Sequence, residues 1–153
     1  MDKYYTPELE EFYLGFQFEI DEYKDGDSEW KRDKGYWREM IYDLEYPHKE
    51  YIQQMISFGD GIRVKYLSKE DIESLGFNIT KDNEEIELSL ESKKYIGGPS
   101  AGDDYKIVIL YGLDNKEMWI YKQCNNGYEY DLFKGVIKNK SELIKLLKQL
   151  QIE

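Results

Sequence analysis

Between Glu11 and Ile20 apolar and polar residues alternate. Phe12, Leu14, Phe16, Phe18 and Ile20 fall on one side, and Glu11, Tyr13, Gly15, Gln17 and Glu19 on the other. A period of two predicts a half-buried strand over Phe12–Ile20. Such a strand suits an antiparallel sheet with one wet face. Pro7 keeps a helix from running into it. The alternation stops at Ile20, and "DEYKDGDSEWKRDKG" reads as a mobile acidic loop around residues 21–35.

"YWREMIYDLEYP" fits two periods. Trp37, Met40, Ile41 and Leu44 match a helix, while the alternating aromatics match a strand; Pro47 ends either. Residues 36–56 therefore stay open between strand and helix, although "EYIQQMIS" predicts a helical turn or two. "GIRVKYLSKEDIESLGF" is clearer. Ile62, Val64 and Tyr66 alternate with Arg63 and Lys65, which predicts a strand. Ser68 can cap a short helix, with Asp71 three residues on. Gly76 suits the left-handed residue that ends it, and Phe77 can pack back over the last turn.

"EEIELSLES" alternates Ile86, Leu88 and Leu90 against polar neighbours and predicts another strand. A Gly-rich loop follows around residues 96–104. "YKIVILYGLDNKEMWIYKQ" predicts a hairpin turning at Asp114-Asn115. Its run from Ile107 to Leu110 is continuously apolar, as a central strand requires. A tight turn at Asn125-Asn126-Gly127 leads to one more strand. Asn139 or Ser141 then caps a terminal helix whose apolar stripe is Leu143, Ile144, Leu146, Leu147 and Leu150. The expected fold is α+β: a twisted, mainly antiparallel sheet of about 5–7 strands, with a short middle helix and a C-terminal helix packed on one face. Residues 1–153 are expected to form a single domain.

Charge narrows the partners. The net charge is −11 over 153 residues. That argues against binding nucleic acid through its phosphates. Residues 1–30 carry ten acids and two bases, whereas residues 132–148 carry five lysines and one acid. Such asymmetry suits either ordinary solubilising charge or an acidic face that meets a basic protein. No apolar run approaches a membrane span, and "MDKYYTPELEEF" lacks the pattern of a secretion signal. The expected setting is the cytoplasm. One cysteine, Cys124, excludes an internal disulfide.

Motif chemistry is sparse. His48 and Cys124 are each the sole residue of their type, and no local signature joins them as a nucleophilic pair. Transition-metal ligands do not cluster, and "DEYKDGDSE" fails the spacing of a calcium loop. "IGGPSAGDD" lacks the Lys-Ser/Thr of a phosphate loop. No catalytic, metal or cofactor site is expected. Aromatic content is the unusual feature, with 15 Tyr, 6 Phe and 3 Trp. Tyr and Trp are favoured at protein interfaces, although aromatics also fill small β-rich cores. The candidate partner-binding residues are Asp25, Asp27, Glu29, Trp30 and Trp37.

Three blocks, "YYTPELEEFYLGFQFE", "IRVKYLSKEDIESLGF" and "FKGVIKNKSELIKLLKQLQI", occur in that order and cover about a third of the chain. Together they resemble a class of small proteins of uncharacterised activity in tailed bacteriophages, crAss-like phages included, and in Bacteroidetes genomes. The resemblance implies a phage or prophage origin and a place in the host cytoplasm or the virion. It brings no activity, cofactor or site residue. The expectation is a small acidic accessory protein that acts by binding an unidentified, basic protein partner. The alternatives are an enzyme built on carboxylates and tyrosines, and a virion-associated structural component.

Overall fold

The computed structural model describes residues 3–21, 37–43, 48–57, 61–83, 87–92 and 105–152. The acidic loop beyond Asp21 and the Gly-rich loop around residues 96–104 lie outside the described residues. Two compact units divide the chain, Met1–Tyr66 and Leu67–Glu153.

In the first unit, Gly15 decides where the long strand begins. Its φ of 89° is left-handed, a conformation that glycine reaches without the steric cost of a side chain. The chain turns there, so β2 spans Gln17–Asp21 rather than the whole of Phe12–Ile20. Leu14 is thereby 68% exposed, against its expected place on the buried side. Phe16, Phe18 and Ile20 are buried as the alternation requires. Strands β1 (Tyr4–Tyr5), β3 (Trp37–Ile41) and β4 (Ile62–Lys65) complete an antiparallel sheet in the order β1-β4-β2-β3. Helix α1 (Lys49–Ser57) sends Ile52 and Met55, three residues apart, into a core with Phe16, Phe18, Ile20, Ile62 and Val64. The ambiguous stretch thus resolves into strand at Trp37–Ile41 and helix at Lys49–Ser57.

The second unit opens with the expected capped helix. The Ser68 hydroxyl accepts from Asp71 N at 3.3 Å, and Asp71 Oδ2 accepts from Ser68 N at 3.1 Å. Helix α2 (Lys69–Glu73) then stops short of Gly76, whose φ is 99°. A meander follows: β5 (Phe77–Asn83), β6 (Glu87–Ser92), β7 (Tyr105–Gly112), β8 (Glu117–Cys124) and β9 (Glu129–Val136), paired in sequence order. Helix α3 (Lys140–Gln149) is capped by Asn139, whose Oδ1 accepts from Glu142 N at 3.0 Å. Ser141, the other candidate cap, is buried inside the helix instead.

Leu143 and Leu147 of α3, with Ile72 of α2, close one core over Ile107, Ile109, Tyr111, Met118 and Ile120. The Tyr111 hydroxyl donates to the Ile137 carbonyl at 3.3 Å, so even the polar tip in this core is satisfied.

The fold is α+β, with strands in two antiparallel sheets of four and five. The sequence pattern points instead to one sheet of about 5–7 strands. The sheet divides because each apolar row has its own cover: α1 over the first, α2 and α3 over the second. Strand β5 is an addition to the elements that the pattern predicts. Among the described residues no helix is long and apolar enough to cross a membrane.

Replacing Leu147 with Ala should cost about 2–5 kcal/mol, because its side chain is buried between α3 and the sheet. Ser68→Ala should cost about 1 kcal/mol through loss of the cap. Urea unfolding of each variant measures both.

Candidate protein-docking surface

Every strand that buries one face shows the other to solvent or to a partner. In the first unit Glu19, Arg63 and Trp37 are among the outward residues, on neighbouring strands. Arg63 Nε donates to Glu19 Oε2 at 2.5 Å. Its guanidinium carbon lies 3.8 Å from the Tyr4 ring and 3.8 Å from the Trp37 ring. Arg63 thus ties all four strands together on their outer face, one ring from each edge and a carboxylate from β2. Trp37 is half-buried in this cluster. Asp25, Asp27, Glu29 and Trp30 lie outside the described residues, so the structure places Trp37 alone of the five candidates. His48 is exposed just ahead of α1, and Cys124 is half-buried at the end of β8.

The second unit holds a different kind of surface. Inward residues of β8 are Met118 and Ile120, so Trp119 and Tyr121 face outward. Their rings contact each other at 5.0 Å. Trp119 Nε1 donates to Asp131 Oδ1 at 2.8 Å, and Lys134 Nζ lies 5.5 Å from the Trp119 ring. Both partners come from β9. Leu110 of β7 stands opposite Trp119. Beside it an open hollow of about 190 Å³ is lined by Leu110, Gly112, Asn115, Glu117, Trp119 and Lys134 among others. Glu117, the one carboxylate among the described lining residues, already accepts from Asn115 Nδ2 at 3.1 Å. The enzymatic alternative needs paired acids, and among the described lining residues no second acid stands beside Glu117. Next to the hollow, Lys116 holds a left-handed φ of 59° and donates through Nζ to the Leu113 carbonyl. Burial lowers its ammonium pKa from the ordinary lysine value, and Asp114 offsets part of that.

Strand β9 is the outer edge of this sheet. A β-bulge changes what it exposes. Ile120 pairs with Phe133, but Tyr121 pairs with Asp131, so Leu132 is an extra residue without a rung. Phe133 therefore packs inward against the core, its ring end lying 2.8 Å from where a Cβ on Gly135 would sit. Leu132 is left 36% exposed. Tyr128 (65%), Tyr130 (56%) and Val136 (54%) are more exposed still. Among the described residues, more large apolar side chains are exposed along this short stretch than anywhere else. Proteins seldom leave such a row uncovered on an edge strand unless something meets it.

Sequence reasoning passes over Tyr128, Tyr130, Leu132 and Val136. "YEYDLF" reads as simple alternation, and only the bulge reveals that Leu132 leaves the ladder while Phe133 turns inward. The available signal is the pair of tyrosines following the Asn125-Asn126-Gly127 turn. Compared with known proteins, the chain matches no family model, no curated protein and no solved structure.

Arg63→Lys should destabilise the first unit by about 1 kcal/mol, because an ammonium cannot stack against two rings and hold Glu19 at once. Denaturant unfolding followed by tryptophan emission measures this, since Trp37 reports on the cluster directly.

Proposed function

We propose that the chain is a protein-interaction module whose docking surface is strand β9 with the adjoining Trp119–Tyr121 face. The observation that carries this reading is the set of exposed apolar side chains Tyr130, Leu132 and Val136 on an edge strand, with exposed Tyr128 just ahead of it. Edge strands offer unpaired backbone groups to a further strand, and side chains on either face then set specificity. Aromatic side chains add contact area at small entropic cost. The edge strand is far less acidic than the chain as a whole: Glu129 and Asp131 stand against Lys134, with Lys138 two residues beyond the strand. The attraction of a basic partner to the N-terminal acids is a separate matter, since most of those candidates lie outside the described residues. The three sequence blocks that resemble phage proteins support an accessory role in a tailed phage or prophage.

The test compares the wild-type chain with a Tyr130→Ser/Leu132→Ser/Val136→Ser variant, each immobilised and used to capture protein from host cells. Retention of a specific protein should fall about tenfold or more in the variant, while its melting temperature stays near the wild-type value. Equal retention by a folded variant would contradict the reading.

A further inference from the structure

We infer that the polypeptide meeting strand β9 is a second copy of this chain, paired antiparallel across a two-fold axis so that two five-stranded sheets become one continuous sheet. The inference rests on β9 being a docking edge and adds the identity of the occupant.

The argument begins with register. Directly opposed residues of an antiparallel pair share a face of the sheet. Strand β9 has eight residues. If all eight paired end to end with a copy, Glu129 would meet Val136 at opposite parity, and every outward residue would oppose an inward one. The bulge removes this conflict. Leu132 holds no rung, which leaves seven: Glu129, Tyr130, Asp131, Phe133, Lys134, Gly135 and Val136. Seven positions have a centre, Phe133. Folding them about that centre pairs outward with outward and inward with inward throughout.

That register is also complementary in chemistry. Asp131 meets Lys134 of the second copy, and by symmetry Lys134 meets its Asp131, which makes two opposite-charge pairs on the outer face. Tyr130 stands opposite Gly135 of the copy, beside the Phe133 ring that already covers that glycine. The acidic half of the strand carries Glu129 and Asp131, and the basic half carries Lys134 with Lys138 just beyond it. Antiparallel pairing joins unlike halves, and parallel pairing would join like ones. A copy of an acidic chain is otherwise a poor partner by charge. The strand that pairs carries a net charge of only −1, from Glu129, Asp131 and Lys134, so the repulsion expected of an acidic chain is small where the two chains touch. A C2 dimer of this kind uses one patch twice and leaves both β9 edges covered.

Sedimentation velocity over a concentration series tests this with two charge variants. Wild type should form a dimer. Asp131→Lys alone sets lysine against lysine at both charged rungs, and Lys134→Glu alone sets acid against acid, so each should weaken the dimer about tenfold. When the two variants are mixed, each charged rung again joins a lysine of one chain to an acid of the other. The mixture should therefore recover a heterodimer of near wild-type stability. Recovery also shows that neither variant had merely unfolded. A wild-type chain that stays monomeric throughout overturns the inference, as does a mixture no more associated than its components. A monomer whose capture of another protein still depends on Tyr130, Leu132 and Val136 would overturn the copy as occupant and leave the docking edge standing.

Discussion

Burial of one row of β7, Ile107, Ile109 and Tyr111, beneath α3 is the constraint on which the second unit depends. These side chains are fully or almost fully enclosed, and each contributes roughly 1.5–3 kcal/mol relative to an exposed position. Because strand side chains alternate, fixing this row inward fixes Leu110, Trp119 and Tyr121 outward. The candidate docking face is thus a consequence of the core. Leu143 and Leu147 of α3 and Ile72 of α2 all enter this one core, on the side of the sheet away from Leu110, Trp119 and Tyr121.

The bulge at Asp131–Leu132 converts that face into an edge with its own character. It turns Phe133 inward to finish the core and turns Leu132 out. Bulges often guard an edge against pairing by twisting it. Here the same extra residue brings the strand into phase with an inverted copy of itself. Lys134 likewise has two roles: it lies near the Trp119 ring and it supplies the positive half of a self-complementary strand.

Much of the scaffold is legible in the residues. Ser68 and Asp71 announce the α2 cap, Gly76 its end, and Asn139 the start of α3. Ile107 to Leu110 mark the central strand. The errors have physical causes. Gly15 breaks an alternation that looks continuous from Phe12, because its left-handed φ turns the chain regardless of the pattern on either side. Two sheets form where the pattern suggests one, since hydrophobic periodicity tells which face is buried but not which helix buries it. The candidate site is the least legible part. Which strand lies at an edge is decided by pairing order, and a one-residue bulge leaves no clear mark in "YEYDLFKGV". Trp37, a candidate because tryptophan favours interfaces, is held in a stack with Arg63 and Tyr4 that joins its own sheet.

Hydrogen–deuterium exchange of the β9 amides at low and high protein concentration tests the central claim most directly. Amides that face away from β8 have no partner strand among the described residues of the lone chain and gain one in the pair. The account predicts that these amides exchange freely in dilute protein and become protected as concentration rises, while the β7 amides stay protected throughout. Exchange of the β9 amides at one unchanging rate across that range would contradict it.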